Sequence, residues 1–366
     1  MALIKDIYSP AFYTRLGLSV KKQLPSFNQQ LFNQQIFTTA FKTMEWKERM
    51  NHTTIVLHNF LPVDFPEAVD LIKKIITQLR TDGYPNGGLE FIFFADYLPR
   101  YGLDDFKTSV DAIEFVTQFI SCEFAVRPFL IRYGDRMYKQ MLRWSKHKSP
   151  AVRRLSSEGI RPRLPWAIAV PDLKADPAPV LPILENLKQD PSESVRRSVA
   201  NNLNDIAKDH PDIVLQIAFK WKGISPETDA IIKHGSRTLL KKGHSQILEF
   251  FGLDSKKLEA ADFRVLTPRV QIGKELNFKF NVVNNNSRPV IIRLEYAIWY
   301  LKANGQLASK VFKITEKLFP GKSVTPVQRR QSFRVITTKV FYPGKHEVSV
   351  ILNGAEKARG SFTLYI

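Results

Sequence analysis

Two segments of the chain repeat one helical pattern at a fixed spacing. One reads Ala-Val-Arg-Arg from Ala151, and the other reads Ser-Val-Arg-Arg from Ser194. Val152 and Val195 are therefore 43 residues apart, and Ile231, in a third such segment, follows after 36 more. A period of roughly 40–47 residues is typical of HEAT repeats, each a pair of helices. Such pairs bury their apolar faces only by stacking, so the spacing predicts an α-solenoid with a concave surface, which the paired arginines would make basic.

The helical pattern extends from about residue 10 to 250, and a different pattern follows it. Up to residue 250, apolar residues recur at three- and four-residue spacing between proline and glycine breaks. From Phe263 the apolar residues alternate at period two, as in 276–282 and 347–352. Seven or so short strands separated by turn signals predict an antiparallel β-sandwich of immunoglobulin-like architecture.

The predicted fold class is therefore multidomain, α then β. We expect a HEAT-like α-solenoid over residues 1–255 and an immunoglobulin-like β-sandwich over residues 263–366. A polar linker over about residues 252–262 would join them.

The charge of the chain is very unevenly distributed. The 54 Lys and Arg residues exceed the 35 Asp and Glu residues by 19. Residues 263–366 contain 18 basic and 5 acidic residues, a net charge of +13, which leaves +6 for residues 1–262. A surplus of this size favours a polyanionic partner for the C-terminal domain, most simply nucleic acid. The alternative is a solvated basic surface without a specific partner.

The sequence indicates cellular location and assembly only through features that it lacks. Cys122 is the single cysteine, so no intramolecular disulfide can form, and a reducing compartment is expected. The N-terminus lacks a signal-peptide pattern, and no apolar run approaches membrane-spanning length. These features predict a soluble cytoplasmic protein. Association with the nucleoid, as expected in a bacterial protein, would follow from the nucleic-acid binding that the charge surplus favours. We expect a monomer, because a solenoid of this size needs no partner to complete a site.

Several kinds of catalytic site are absent from the sequence. The seven histidines have no spacing that would converge on zinc. No phosphate-binding glycine loop, Gly-x-Ser-x-Gly elbow or Cys/His nucleophile pair is present. The sequence therefore predicts neither a metal site nor a cofactor.

One carboxylate lies in an apolar setting close to the first arginine pair. Glu123 lies between Phe119 and Val126, where a carboxylate must be paired, face a cleft or cost several kcal/mol. It is a candidate catalytic residue. The alternative is a structural salt bridge with Arg127 or Arg132.

Three further residues are candidates, each with a simpler explanation. Glu158 can form an ordinary i,i+4 salt bridge with Arg154 on the same helix. Trp166 follows two prolines that rigidify its approach, although a tryptophan is often a core residue. Asp205 follows a run of asparagines on its helix, where simple exposure without function is the alternative.

The block Arg-Pro-Arg-Leu-Pro-Trp, which ends at Trp166, is the most specific element of a family resemblance. Together with residues 46–49, 154–160 and 232–237, it resembles the AlkC-type DNA alkylation repair glycosylases. These belong to the HEAT-like repeat glycosylase superfamily that also contains AlkD. A basic β-sandwich after the solenoid is similar to the immunoglobulin-like extension of one subgroup.

The resemblance implies an activity in base excision repair on double-stranded DNA that contains alkylated bases. Family members excise cationic N-methylated bases, including 3-methyladenine, 3-methylcytosine and 1-methyladenine, and leave an abasic site. Such a base is already an activated leaving group, so the main task of the enzyme is to stabilise the oxocarbenium ion that develops on the sugar. Fixed carboxylates stabilise that charge and orient a water.

The resemblance also implies roles for individual residues. Glu123 and Asp205 would be carboxylates at the sugar, and Glu158 would be a further acidic residue of the same pocket. Trp166 would be the aromatic wall, where a cation–π attraction of about 0.5–2 kcal/mol favours a cationic base. Arg154 and Arg161 would contact phosphates beside the lesion. The alternatives are a non-enzymatic HEAT scaffold that binds DNA and a protein-binding solenoid.

Overall fold

The computed structural model describes residues 3–335 and 340–366, with helices first and β-strands after them, as predicted. Short 3₁₀ helices lie at Ile4–Ile7, Thr39–Lys42, Leu89–Phe91 and Ala178–Val180. The α-helices are α1 (Pro10–Gln23), α2 (Gln29–Ile36), α3 (Trp46–His58), α4 (Phe65–Thr81), α5 (Phe93–Gly102), α6 (Phe106–Val116), α7 (Val126–Tyr133), α8 (Asp135–Trp144), α9 (Pro150–Glu158), α10 (Pro171–Ala175), α11 (Leu181–Leu187), α12 (Glu193–Ile206), α13 (Pro211–Trp221), α14 (Pro226–Gly235), α15 (Arg237–Lys241) and α16 (Ser245–Phe250). Within the described residues, no helix is long and apolar enough to cross a membrane.

The helices that carry the repeated pattern stack on one another. Helix α9 packs against α12, and α12 packs against α14. The repeat-equivalent Val152 and Val195 are both fully buried in this stack. At the end of α14 the helices approach so closely that a Cβ on Gly235 would lie 2.8 Å from the Cβ of Leu203. The predicted repeat is therefore confirmed, and shared burial between neighbouring units holds it together.

The first arginine of each pair is a structural residue. Arg153 donates from Nη1 to the carbonyl oxygens six and five residues before it, both at 2.9 Å. Arg196 makes the same two contacts one repeat later, at 2.7 and 2.9 Å. Asp190 joins the two repeats, because its carboxylate accepts from Arg153 and its carbonyl accepts from Arg196. These two arginines close the loops before their helices, so only the second arginine of each pair is left to make the concave surface basic.

The described residues form two compact units. Residues up to 210, together with residues 221–235, make the first unit, and residues 211–220 and 236–366 make the second. The predicted boundary at residue 255 lies inside the second unit. There the Asn353 side chain donates to the Asp254 carbonyl at 2.8 Å, and Lys357 donates to the Ser255 carbonyl at 2.8 Å.

The second unit contains a two-layer β-sandwich. Its strands are β1 (Leu258–Val265), β2 (Arg269–Gln271), β3 (Glu275–Asn284), β4 (Val290–Leu301), β5 (Leu307–Phe319), β6 (Ser323–Ser332), β7 (Gly344–Leu352) and β8 (Ala355–Tyr365). One sheet has the order β1-β3-β6, and the other has the order β2-β8-β7-β4-β5. Alternate apolar residues of both sheets, such as Phe278 and Ile298, form one core between the layers.

Two details of the sandwich differ from the sequence prediction. The short strand β2 pairs with β8 in parallel, because the chain crosses to the second sheet after β1. Strand β1 begins at Leu258, within the predicted linker. A register shift between Ala261 and Arg264 interrupts the period-two pattern, and Asp262 in this bulge has a φ of 51°. The bulge explains why the alternation is evident only from residue 263.

Candidate active site

Three elements of the first unit bring the predicted carboxylates into one network. Glu123 lies in the turn segment between α6 and α7, and Glu158 is the last residue of α9. Asp205 lies near the end of α12, which packs against α9. The Asn202 side chain donates to the Ser157 carbonyl at 2.9 Å, and the Ser198 hydroxyl donates to the Ser157 hydroxyl at 3.0 Å. These two bonds hold α9 and α12 in register. The stacking of the repeats therefore decides which carboxylates meet.

The first part of the network joins Glu123 to Arg154. Arg154 Nη1 donates to Glu123 Oε2 at 2.9 Å and to Ser121 Oγ at 3.2 Å. The Ser121 hydroxyl also donates to Glu123 Oε2 at 2.9 Å. Arg154 is thus the partner of Glu123, and the alternative salt bridges with Arg127 and Arg132 are wrong. The Glu123 side chain is 19% exposed and that of Arg154 is 31% exposed, so both side chains of this pair are partly open to solvent.

The second part of the network is buried. Arg161 Nη1 donates to Glu158 Oε1 at 2.6 Å, and its Nε donates to Asp205 Oδ2 at 2.8 Å. Lys208 binds the other oxygen of Asp205 at 3.0 Å. The Asp205 residue is 2% exposed, so the alternative that it lies in solvent is wrong. Glu158 is 4.0 Å from Arg154, and its main partner is therefore Arg161.

The network alternates in sign and balances its charges. Three carboxylates, Glu123, Glu158 and Asp205, face three cations, Arg154, Arg161 and Lys208. Burial alone would lower the pKa of Arg161, but the charges of Glu158 and Asp205 outweigh it and raise that pKa. Each of the three carboxylates therefore has at least one cationic partner at 2.9 Å or less.

The two arginines that were predicted to contact phosphates differ in access. The guanidinium of Arg161 lies between two carboxylates, and its side chain is 9% exposed. The Arg154 side chain is the more exposed of the two, at 31%. A phosphate contact stays a prediction for both residues, and Arg154 has the geometry that suits it better.

Trp166 projects from an irregular segment into solvent. Its relative exposure is 65%, so the core alternative is wrong. Its backbone φ of 65° is left-handed, a conformation that costs a non-glycine residue on the order of 1–3 kcal/mol. The ring centroid lies 5.9 Å from that of Trp46 on α3. A cleft of about 250 Å³ beside Trp166 is lined by Phe124, Met50 and Pro128, among others.

Sequence reasoning missed the residues that hold this segment. Residues 159–170, between α9 and α10, contain neither helix nor strand, so their carbonyl groups need partners from elsewhere. Arg127 on α7 and Lys47 on α3 supply them. The proline-rich block 161–166 is a signal that such partners are required, although it does not identify them.

Within residues 3–335 and 340–366, no group of three or more His, Cys, Asp or Glu side chains is arranged to hold a metal ion. Cys122 is buried, and burial raises the pKa of its thiol.

Comparison with known proteins finds a matching model within each unit. Residues 259–366 match the family described as "Uncharacterised protein YhaZ, C-terminal Ig-like domain", and residues 180–210 match the HEAT repeat. Both findings confirm the predicted fold class. The protein YhaZ of Bacillus subtilis is 43% identical over 358 residues, which cover 98% of each chain.

A solved structure is similar over the full length. It is the alkylpurine DNA glycosylase AlkC of Pseudomonas fluorescens, bound to DNA that contains an abasic-site analogue. The TM-score is 0.93 and the sequence identity 33%, with 100% of each chain covered. From these two full-length similarities, the chain belongs to the AlkC-type family within the HEAT-like repeat DNA glycosylase superfamily.

Proposed function

We propose that this protein is a DNA glycosylase of base excision repair that acts on cationic N-methylated bases. The substrates would include 3-methyladenine, 3-methylcytosine and 1-methyladenine, and the product would be an abasic site. The observation that carries the proposal is the convergence of Glu123, Glu158 and Asp205 from three separate elements, with the exposed Trp166 in the same unit.

The proposed reaction is a hydrolysis at C1′ of the damaged nucleotide. The bond from C1′ to the base nitrogen breaks, and its electron pair neutralises the positive charge of the base. A water oxygen then bonds to C1′ and passes its proton to a carboxylate. The positive charge that develops on the sugar is stabilised by fixed negative groups. Glu123 is the best placed of the three carboxylates, because it is the most exposed of them.

Arg154 could bind a DNA phosphate in addition to Glu123. Because the Arg154 side chain is 31% exposed, its guanidinium could contact a phosphate while it still orients Glu123. Binding of the DNA backbone at Arg154 would then draw positive charge away from Glu123. The carboxylate would act on the sugar with less of its charge neutralised.

The β-sandwich would contribute to DNA affinity through its charge. Strands β5 and β6 are edge strands of the two sheets and border a common groove that Lys317 and Arg329 line. Lys310 pairs with Ile298 and Lys317 with Ile292, so both lysines lie on the core-facing side of β5. Cations on this side of β5 and in the groove suit a phosphate backbone. Edge lysines also prevent pairing between sheets of different molecules.

Release of methylated base from alkylated duplex DNA by the purified protein tests the proposed activity. We expect a free methylated base and an abasic site under single-turnover conditions. Undamaged DNA is the control substrate. If no base is released while DNA is bound, the proposed activity is wrong.

A second candidate function is that of a non-enzymatic, DNA-binding HEAT scaffold. The complete ion pairing of Glu123, Glu158 and Asp205 favours it, because a purely structural network would have the same contacts. The base-release assay separates the two functions, since a scaffold binds the DNA without forming abasic sites.

A further inference from the structure

The irregular segment 159–168 follows α9, ends shortly before α10, and contains both Arg161 and Trp166. The Gly159 amide closes the end of α9 on the Leu155 carbonyl at 2.9 Å, and beyond it the described backbone of the segment forms two longer hydrogen bonds, from the amides of Arg161 and Ala167 at 3.3 and 3.4 Å. Neither of these two longer bonds involves Trp166 itself. The position of Trp166 must therefore be determined by contacts from outside the segment.

Arg127 binds three carbonyl groups of this segment. Its Nη1 donates to the carbonyls of Gly159 at 3.0 Å and Arg161 at 2.9 Å, and its Nε donates to that of Ile168 at 2.5 Å. The residue is 1% exposed, and the side-chain hydrogen bonds it makes within the described residues all go to carbonyl oxygens. Burial, together with the charge of Arg161, lowers the pKa of Arg127 to about 10. A buried cation is costly to maintain, so a role beyond filling space is indicated.

Lys47 holds the same segment from the other side. Its ammonium group donates to the carbonyl oxygen of Trp166 itself. The same ammonium group lies 5.8 Å from the centre of the ring of Phe124, the residue that follows Glu123 in the chain. The Lys47 residue is exposed, so its contact is not needed to fill the core.

Trp166 is the residue whose conformation these contacts maintain. A left-handed tryptophan persists only where the surroundings over-determine its backbone. Bonds to the carbonyls of residues 166 and 168 fix the peptide groups on the C-terminal side of Trp166. The exposed ring has few packing contacts of its own that could do so.

We propose that Lys47 and Arg127 are positioning residues that clamp segment 159–168 and hold the Trp166 ring in place relative to the carboxylate network. This inference rests on the proposed function for its catalytic consequence. Its structural part does not, because the two cations hold the segment before any DNA is bound. Displacement of a positioned group by about 1 Å can cost on the order of 100-fold in rate.

The test uses full-length Lys47→Met, labelled with 5-fluorotryptophan. The five tryptophans give five ¹⁹F resonances, and loss of one in Trp166→Phe identifies that of Trp166. We expect Lys47→Met to shift or broaden the Trp166 resonance and to leave those of the buried Trp144 and Trp221 in place. Lys74→Met, which removes an exposed lysine from α4, is the matched control and should leave all five unchanged.

Kinetics supply the second readout. On alkylated DNA, Lys47→Met should reduce the single-turnover rate at saturating protein by about 10- to 100-fold. Its Kd for DNA should change by less than about threefold, and Lys47→Arg, which keeps a cationic donor, should recover most of the rate. Arg127→Lys, which keeps the charge but loses the planar fork, should lower the rate further if it folds.

The outcomes separate this proposal from the proposed function. An unchanged Trp166 resonance in Lys47→Met overturns the clamp, whatever the activity of the wild type. A shifted resonance with a wild-type excision rate overturns the positioning role in catalysis. A wild type that releases no base overturns the proposed function, while the resonance still decides whether Lys47 holds Trp166.

Discussion

At the scale of single residues, the three carboxylates are not equivalent. Glu123 accepts from an arginine that solvent can reach, whereas Asp205 is buried between Arg161 and Lys208. Loss of a buried partner leaves an uncompensated charge and typically costs about 3–5 kcal/mol of stability. A partly exposed pair contributes much less. Substitution of Glu123 therefore gives a cleaner test of catalysis than substitution of Asp205.

For Glu123→Gln we expect loss of base excision with DNA affinity retained. The change removes a charge that acts on the transition state and barely alters shape, so the single-turnover rate should fall on the order of 100-fold or more. Glu193→Gln is the matched control, because Glu193 pairs with Arg197, the repeat equivalent of Arg154. A rate within about threefold of wild type in Glu123→Gln would exclude it as the catalytic carboxylate.

For Trp166→Gly we expect activity to fall without a loss of stability. Excision should weaken by the loss of an aromatic contact worth about 1–3 kcal/mol. The melting temperature should stay level or rise, because glycine adopts the left-handed backbone of residue 166 without strain. A marked fall in melting temperature, measured by calorimetry, would mean that the ring supports the fold.

At the scale of elements, the helix α12 and the strand β5 show how one element serves two purposes. Helix α12 buries Val195 and Val199 in the stack and also delivers Asp205 to the network. Strand β5 pairs with β4 on one edge, while its other edge borders the basic groove shared with β6. Packing sets the position of the functional side chain in both cases.

The basic groove of the sandwich gives a prediction at this scale. Each phosphate contact that is lost should reduce the slope of log affinity against log salt by about 0.9. We therefore expect a visibly flatter slope for the triple variant Lys310→Gln, Lys317→Gln and Arg329→Gln on lesion-bearing duplex DNA. The exposed Lys274, Lys302 and Lys345, changed together to Gln, provide a control with the same loss of charge.

Two outcomes of the salt titration would contradict this prediction. Equal slopes for the triple variant and wild type would mean that the groove does not contact phosphates. Equal flattening by the control would mean that the total charge of the sandwich matters and the groove does not. Light scattering should accompany the titration, because loss of edge lysines can permit pairing between molecules.

At the scale of the whole molecule, the candidate site residues and the surplus of positive charge are in different units. All the candidate site residues lie in the first unit, while the +13 surplus lies within residues 263–366 of the second. The second unit also includes residues 211–220 and 236–255, so a chain cut at residue 255 would divide it. Substitutions in the full-length protein are therefore the better way to assign affinity and chemistry to the two units.

The sequence by itself determined the order of folds and the chemical class of the residues available. The 43-residue repeat gave the stacked helices, because apolar periodicity is a local property of each helix. Period-two alternation gave the sandwich, except at the bulge of β1 and the parallel strand β2. The candidate carboxylates and Trp166 came from a local motif and from the family resemblance that it carries.

Only the tertiary structure decided which side chains meet. Glu123 and Arg154 are separated by 31 residues and Arg161 and Asp205 by 44, so their pairing depends on how neighbouring helices stack. Exposure of Trp166, burial of Asp205 and the clamp of Lys47 and Arg127 also depend on residues distant in sequence. The charge pattern along the chain cannot specify these contacts, because in an unfolded chain each cation can meet several carboxylates and carbonyls. Only the packing of the helices selects one arrangement among them.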